Sequence, residues 1–178
     1  MTFTKTKIEG LYIIEPELKT DGRGNFMRIF CKEKLSKIGV KFNIVQVNRS
    51  LTAKKGTIRG MHFQKKPMSE DKIIQCLKGR IYDVAVDLRK DSPTYGKWSA
   101  EELTENNKKM FLIPKGFAHG FQTLTDTCEL LYFMSKFYSP EHGSGVRWND
   151  PFFKIVWPIK NHRLSEKDKN WTLIKKQL

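Results

Sequence analysis

Short runs of alternating apolar and polar residues recur along the chain, and turn residues such as glycine, proline and aspartate separate them. This spacing is typical of an antiparallel sandwich or barrel rather than of β–α–β units. The clearest run is 80–88, where apolar side chains alternate with polar or small ones, so we expect a half-buried strand. Further strands are expected at 10–16, 26–30, 43–48, 72–77, 110–113, 120–123 and 129–135.

Helical patterns are few and short. Residues 32–38 can form a short helix, and the segment after Leu164 can form another, with Ser165 as its N-cap and Asp168 in its first turns. The aromatic segment 146–158 contains two prolines, and we expect it to pack against the sheet as a loop. At 178 residues the chain is long enough for one core, so we expect a single, mainly β domain over 1–178.

The net charge of +14 predicts an anionic partner, although a lysine-rich solvated surface explains it as well. Lysine and arginine are scattered rather than gathered in one arm with interleaved aromatics, so we expect no nucleic-acid partner. No apolar run approaches the length of a membrane span, and the first ten residues lack the apolar core of a signal peptide. We therefore expect a cytoplasmic protein without a membrane partner.

The cysteines point to the same compartment. Cys31, Cys76 and Cys128 are odd in number and lack the spacing of a metal site. Cys76 and Cys128 also lie in apolar runs, which is typical of packing thiols. We expect reduced cysteines in a reducing compartment.

Two segments, 56–64 and 111–122, each place a histidine beside a turn at a strand edge. The two histidines are His62 and His119. Their arrangement resembles the two motifs of cupins. The first cupin motif carries H-x-H and a later Glu, and the second carries P-x-G-x-x-H, so that these four side chains bind one metal. The resemblance implies a cupin-type jelly-roll β-barrel with a few short helices.

The metal-binding set is altered in this chain. Gln64 replaces the second histidine, and Lys72 stands where a metal cupin has Glu, seven residues before Gly79. Because an ammonium repels a divalent cation and an amide is a poor substitute for imidazole, we expect no metal. With Arg59 and His62 also placed inside the barrel, the buried cations need an anionic ligand, and the pocket is open to acid–base chemistry.

Over nearly its whole length the chain resembles the dTDP-4-dehydrorhamnose 3,5-epimerases. The resemblance implies homodimeric cupins of bacterial deoxysugar biosynthesis, with exchanged N-terminal strands and with neither metal, nicotinamide nor flavin. The matching segments are DGRGNF at 21–26, FNIVQVN at 42–48, TIRGMHFQ at 57–64, DKIIQCLKGRIYDVAVDLRKDSPTYGKW at 71–98, FLIPKGFAHGF at 111–121, LLYFMSKFY at 130–138, VRWNDP at 146–151 and LSEKD at 164–168.

The family's chemistry explains several of these residues. In a 4-keto sugar, C3 and C5 both adjoin the carbonyl, so removal of either proton gives an enolate with its charge on O4. The resemblance implies that His62 is the base, that Asp168 supports the imidazolium, and that Tyr132 donates a proton on the opposite face. It also implies that Lys72 and Arg59 hold the enolate oxygen and the diphosphate. His119 would face the sugar as well.

The same resemblance assigns nucleotide contacts to a further set of side chains. Tyr138 would stack on the base, and the other contacts would come from Arg23, Phe26, Gln46 and Asn48.

Two positions depart from the family pattern. Arg28, which we also expect to contact the nucleotide, stands where the family usually has Glu, and Gly143 stands where it often has an acid, so two acceptors that help to read thymidine are absent. The base is therefore open between thymine, cytosine and guanine, and the sugar between several 4-keto sugars.

The leading hypothesis is a cofactor-independent epimerase of a nucleoside-diphosphate 4-keto-6-deoxysugar, acting at C3 and C5 or at C3 only. A 3,4-ketoisomerase of the same fold, a non-catalytic cupin that binds sugar nucleotides and a metal dioxygenase are the alternatives. The sequence leaves open whether the product enters lipopolysaccharide, capsule or a secondary metabolite.

Overall fold

The computed structural model describes residues 1–174, and its strands form two antiparallel sheets that face each other as a jelly roll. The elements are β1 (Thr2–Lys5), β2 (Tyr12–Glu15), β3 (Leu18–Asp21), β4 (Gly24–Met27), α1 (Lys32–Lys37), β5 (Gln46–Thr52), β6 (Ile58–Gln64), β7 (Lys72–Lys78), β8 (Arg80–Asp87), β9 (Trp98–Thr104), β10 (Met110–Ile113), β11 (Phe117–Thr123), β12 (Cys128–Met134), β13 (Gly143–Gly145) and α2 (Glu166–Lys169).

The six-stranded sheet has the order β1-β2-β10-β7-β12-β5, and the five-stranded sheet has the order β13-β6-β11-β8-β9. A separate two-stranded sheet, β3-β4, forms an exposed hairpin. Neither helix of the described residues has the length and apolar character needed to cross a bilayer. The mainly β fold with short helices agrees with the prediction from the sequence.

The main core lies between the two sheets. Ile74 of β7 and Leu130 of β12 contribute from one sheet, and Ile81 of β8 and Phe121 of β11 contribute from the other. Because side chains alternate across a strand, the residues two positions away from these also face the interior. That periodicity brings polar side chains of β6, β7, β8, β11 and β12 into the barrel.

Strand β8 differs from the half-buried strand expected at 80–88, and that expectation was wrong. Val84 and Val86 on its outer face and Asp83 and Asp87 on its inner face are all fully buried. The polar face is not solvated, because Asp83 binds a histidine inside the barrel and Asp87 accepts hydrogen bonds from Arg89 and nearby hydroxyls.

The outer face of the five-stranded sheet is covered by the segment 146–158. Val146, Phe153 and Trp157 are buried there against the outer side chains of β6 and β8. Trp98 of β9 donates a hydrogen bond from Nε1 to the Phe153 carbonyl oxygen at 3.0 Å. The expectation that this aromatic segment packs against the sheet is confirmed.

Strand β5 is displaced from its expected position. The pattern placed a strand at 43–48, whereas β5 begins at Gln46 and continues to Thr52. Val47 and Leu51 on its outer face are 51% and 53% exposed. Among the described strands β5 pairs only with β12, so it is a free edge of the six-stranded sheet.

Candidate active site

A cavity of about 380 Å³ opens at one end of the barrel, between the two sheets and α2. A larger hollow of about 650 Å³ lies between the loops after β6 and β8, and its lysines are exposed. The smaller cavity is lined by His62 and Asp168, so we assign the site to it. Its wall includes Arg59, His62, Lys72, Tyr138, Asp168 and Trp171.

The structure brings His62 of β6 and Asp168 of α2 together. Nε2 of His62 lies 2.6 Å from Oδ1 of Asp168. The Asp168 carboxylate accepts at Oδ2 from the Gly60 N–H at 3.3 Å, and the backbone N–H of Asp168 donates to the Ser165 hydroxyl at 3.1 Å. Ser165 is therefore the N-cap of α2, as predicted.

Asp168 is 5% exposed, and its burial acts to raise the pKa of its carboxyl. Hydrogen bonds and charge from His62, with further donation from Gly60 and Trp171, outweigh burial and hold the pKa below its usual value. Asp168 is thus an anion that can stabilise a protonated imidazole. Such a pair is suited to proton abstraction.

Two cations lie beside this pair. Lys72 Nζ is 2.9 Å from Glu70 Oε1 and donates to the His62 carbonyl oxygen at 3.3 Å. Arg59 donates from Nε to the Thr52 hydroxyl at 3.0 Å, but it is exposed, so the expectation of a buried guanidinium was wrong. These cations can stabilise negative charge that develops on a bound ligand.

His119 faces the same interior, directly opposite His62 in the register of β11 and β6. Its Nε2 lies 2.7 Å from Oδ1 of Asp83, and both side chains are buried. Burial raises the pKa of Asp83 even though His119 and Lys72 oppose the shift. Asp83 was not among the predicted site residues, although its place in the alternation of β8 puts it on the polar face.

Tyr132 comes from the opposite sheet. It packs against the main core from β12, and its hydroxyl lies 3.0 Å from the Ser50 hydroxyl. Burial raises the pKa of the phenol to about 12, although Ser50 and Arg59 act in the other direction. The phenol therefore keeps its proton near neutral pH and can act as a proton donor.

Gln64 does not serve as a free polar group of the cavity. Its amide nitrogen donates to the carbonyl oxygens of Met68 and Phe137, at 3.0 and 3.1 Å. Its amide oxygen accepts from the Ser139 N–H at 2.6 Å. Gln64 thus anchors the loop that carries Tyr138.

Two residues of β5, Gln46 and Asn48, lie near Tyr138. The Gln46 side chain accepts from the Tyr138 N–H at 3.0 Å and donates to Asn48 Oδ1 at 2.9 Å. The ring of Tyr138 is exposed at the mouth of the cavity. These three residues form one polar and aromatic rim.

The structure does not bring the remaining three predicted contacts to this rim within one chain. Arg23 and Phe26 lie on the exposed hairpin, where Arg23 binds Asp21 at 2.7 Å and Phe26 is 67% exposed. Arg28 follows β4 and lines a different cleft with Glu17.

Sequence reasoning also missed Glu70 and Trp171. Glu70 is buried beside Lys72, and Trp171 donates from Nε1 to Asp168 Oδ1 at 3.2 Å. Glu70 stands two residues before a lysine that faces the barrel, which is a weak signal for an ion pair. Trp171 lies in a mixed, polar segment whose pattern carries no signal for a site.

Comparison with known proteins gives a consistent result. A family model described as dTDP-4-dehydrorhamnose 3,5-epimerase matches residues 5–176. The dTDP-4-dehydrorhamnose 3,5-epimerase of Methanothermobacter thermautotrophicus is 44% identical over 173 residues, which are 95% of this chain and 92% of that protein.

Solved structures show the same likeness. The crystal structure of dTDP-4-dehydrorhamnose 3,5-epimerase from Elizabethkingia anophelis superposes with a TM-score of 0.96 at 39% identity, covering 99% of this chain and 98% of that one. The Legionella pneumophila epimerase in complex with dTDP-4-keto-L-rhamnose superposes with a TM-score of 0.92 at 37% identity, covering 98% and 93%.

Proposed function

The chain belongs to the dTDP-4-dehydrorhamnose 3,5-epimerase family, and from that premise we propose that it converts dTDP-4-dehydro-6-deoxyglucose to dTDP-4-dehydrorhamnose by inverting C3 and C5. The enzyme is an isomerase of the cupin-type jelly-roll fold. The observation that carries the proposal is the His62–Asp168 pair in a cavity that Lys72 lines from the opposite sheet, which is also the sheet that carries Tyr132. The relative solved with dTDP-4-keto-L-rhamnose supports dTDP as the default nucleotide.

Proton abstraction is assigned to His62. Its Nε2 is bound to Asp168, which leaves Nδ1 to take a proton from C3 or C5 of the sugar. The imidazolium that forms is stabilised by the Asp168 carboxylate. The substrate carbonyl acidifies both positions, so one base can serve each of them in turn.

The enolate needs positive charge near O4. Lys72 and Arg59 lie on the cavity wall beside His62, and both can donate to an anionic oxygen. Together, Arg59 and Lys72 donate hydrogen bonds to O4 and to the diphosphate. His119 is bound to Asp83 and lies opposite His62 in the register of β11 and β6, and we assign it a contact with the sugar.

Reprotonation on the opposite face is assigned to Tyr132. Its phenol lies on the opposite sheet from His62 and retains its proton because burial raises its pKa to about 12. Donation from this side places the new C–H bond on the other face of the ring. The configuration at that carbon is then inverted.

Deuterium exchange tests the proposal. In D₂O, with dTDP, CDP and GDP forms of the 4-keto-6-deoxysugar as candidate substrates, we expect NMR to show loss of the C3 and C5 proton signals with the dTDP form. Exchange at C3 alone would assign a 3-epimerase. Absence of exchange at both carbons with every nucleotide would contradict the proposed function.

The compartment proposed for the enzyme is the cytoplasm. All three cysteines are free thiols, and Cys76 and Cys128 are buried. Burial raises the pKa of the Cys76 thiol to about 12, so it is an inert packing group. Unpaired, buried thiols fit a reducing environment.

We also propose a homodimer in which the N-terminal hairpin of each chain adds to the sheet of the other. An isolated two-stranded hairpin is only marginally stable in water, and the β3-β4 hairpin is almost wholly exposed. The free edge of β5 offers unpaired backbone groups and the exposed side chains Val47 and Leu51. Such an exchange would bring Arg23 and Phe26 of one chain to the Gln46–Tyr138 rim of the other.

Complementation between two inactive variants tests this exchange. A double variant, Arg23→Ala with Phe26→Ala, retains the catalytic pair, and a His62→Ala variant retains the hairpin. After the two are mixed, dissociated and allowed to reassociate at random, about half of the dimers are mixed and each holds one complete site. We therefore expect about a quarter of the wild-type exchange rate.

Sedimentation velocity of the wild type supplies the control for assembly. A 20.8 kDa monomer at assay concentration would contradict the dimer. A mixture that regains no activity while sedimenting as a dimer would contradict the exchange of hairpins.

A further inference from the structure

Trp171 lies directly against the His62–Asp168 pair. Its indole Nε1 donates to Oδ1 of Asp168 at 3.2 Å, and its ring meets the His62 imidazole edge to face, with centroids 6.2 Å apart and planes at 68°. Lys167 Nζ lies 5.4 Å from the centroid of the indole ring. The indole therefore contacts both members of the pair.

The surroundings fix the position of this ring. A Cβ atom added to Gly145 would overlap the indole, so only glycine allows the ring to lie against β13 at that point. Gly145 is in turn the cross-strand partner of His62. Arg147 Nε donates to the Trp171 carbonyl oxygen at 3.0 Å. The chain thus seats the indole beside the catalytic strand.

One carboxylate oxygen is shared between two donors. Oδ1 of Asp168 lies 2.6 Å from His62 Nε2 and accepts from Trp171 Nε1 as well. Each hydrogen bond to a carboxylate withdraws part of its charge, so a second donor weakens the attraction between that oxygen and the first. The indole therefore reduces the stabilisation that Asp168 gives to a protonated His62.

We propose that Trp171 is a positioning residue that tunes the base: by sharing Oδ1 of Asp168, it lets His62 lose its proton, and so act as a base, at lower pH. The inference rests on the proposed function for its catalytic consequence. The interaction itself involves only Trp171, Asp168 and His62, and the protonation of His62 can be measured without substrate.

The other charged groups near His62 and Asp168 are the same in the wild type and in the variants of Trp171. Lys72, bound to Glu70, and Arg59 line the same cavity, and Lys167 lies over the indole. His119 faces His62 from β11 but is bound to Asp83. The charged and titratable groups to be held fixed are therefore Arg59, Glu70, Lys72, Asp83, His119 and Lys167.

The test replaces the indole with a ring that lacks the N–H. In Trp171→Phe, Asp168 loses one donor, its carboxylate attracts the imidazolium more strongly, and His62 remains protonated to higher pH. We expect the His62 titration midpoint, followed by NMR in the ligand-free protein, to rise by about half a pH unit. The acid limb of kcat/KM for exchange is expected to rise with it, which corresponds to about a threefold loss below the limb and no loss on the plateau.

Trp98→Phe is the matched control, because it also removes an indole hydrogen bond but the lost acceptor is the Phe153 carbonyl oxygen. No movement of the His62 titration is expected there. Gly145→Ala is the second variant: it displaces the indole while every titrating side chain remains, and it is expected to move the midpoint in the same direction. Circular dichroism establishes that each variant is folded.

Two results would overturn the inference. One is a kcat/KM reduced equally at all pH values with an unmoved midpoint, which would make Trp171 a packing residue only. The other is a midpoint that falls. Because the NMR titration needs no substrate, an enzyme that exchanges no proton at all would contradict the proposed function while leaving the tuning by Trp171 to be decided separately.

Discussion

Replacing His62 with alanine is expected to slow deuterium exchange at both C3 and C5 by about 10³-fold, the range measured for loss of a general base. His62 is paired with the Asp168 carboxylate, which stabilises the positive charge that the imidazole gains when it takes a proton. The affinity for the nucleotide sugar is expected to change by less than about threefold, because Arg59, Lys72 and Tyr138 stay in place. NMR exchange rates and titration calorimetry measure the two quantities.

His162→Ala provides the matched control. His162 is partly buried, and its Nδ1 lies 3.1 Å from the amide nitrogen of Gln122, away from the cavity. Exchange in this variant is expected to match the wild type. If His62→Ala exchanged as fast as the wild type, His62 would not be the base, and a protein with no exchange in either form would be a binder of sugar nucleotides.

Alternation along the chain was sufficient for strands with one clear periodicity. The expected strand at 110–113 coincides with β10, and the run at 129–135 differs from β12 by one residue at each end. It was insufficient for β9, Trp98–Thr104, whose polar sequence suits an edge strand that pairs on one side only.

The same pattern could not decide what covers a polar face. Asp83 and Asp87 were assigned to a partly solvated face of 80–88, yet both are fully buried. Burial of a carboxylate requires partners, and these come from His119 and Arg89. His119 is 36 residues from Asp83 in sequence, so no local spacing reveals the contact.

The site shows a similar division. Motif spacing was enough to place His62 and His119 at the barrel, and their strands are indeed neighbours in register. Asp168 lies 106 residues from His62, and its link to the base came only from the family resemblance. Trp171 had neither a spacing nor a resemblance to identify it.

The structure brings together only some of the predicted nucleotide contacts. The resemblance assigned five residues to the nucleotide; Gln46, Asn48 and Tyr138 lie together at one rim, whereas Arg23 and Phe26 lie on the exposed β3-β4 hairpin. The proposed exchange of hairpins between two chains would account for this difference. Sequence motifs are shared by both chains of a homodimer, so they cannot tell which copy supplies a residue.

Replacing Tyr132 with phenylalanine is expected to separate proton removal from inversion. His62 can still take a proton and return deuterium to the face it came from, so exchange with retention of configuration persists. The opposite face has lost its only assigned acid, whose pKa of about 12 keeps it protonated in the wild type. Inversion is expected to fall by about 10²-fold while exchange falls much less, and NMR follows both in the same sample.

Tyr132→Phe removes both the phenolic proton and the hydrogen bond to Ser50, and the variant Ser50→Ala separates these two effects. The Ser50 hydroxyl lies 3.0 Å from the Tyr132 hydroxyl, so this variant breaks the same contact but keeps the acid. Inversion is expected to remain within a few-fold of the wild type, since one neutral hydrogen bond contributes only about 1 kcal/mol. Equal losses of inversion in both variants would assign Tyr132 a packing role, and the proton on the second face would then come from another donor.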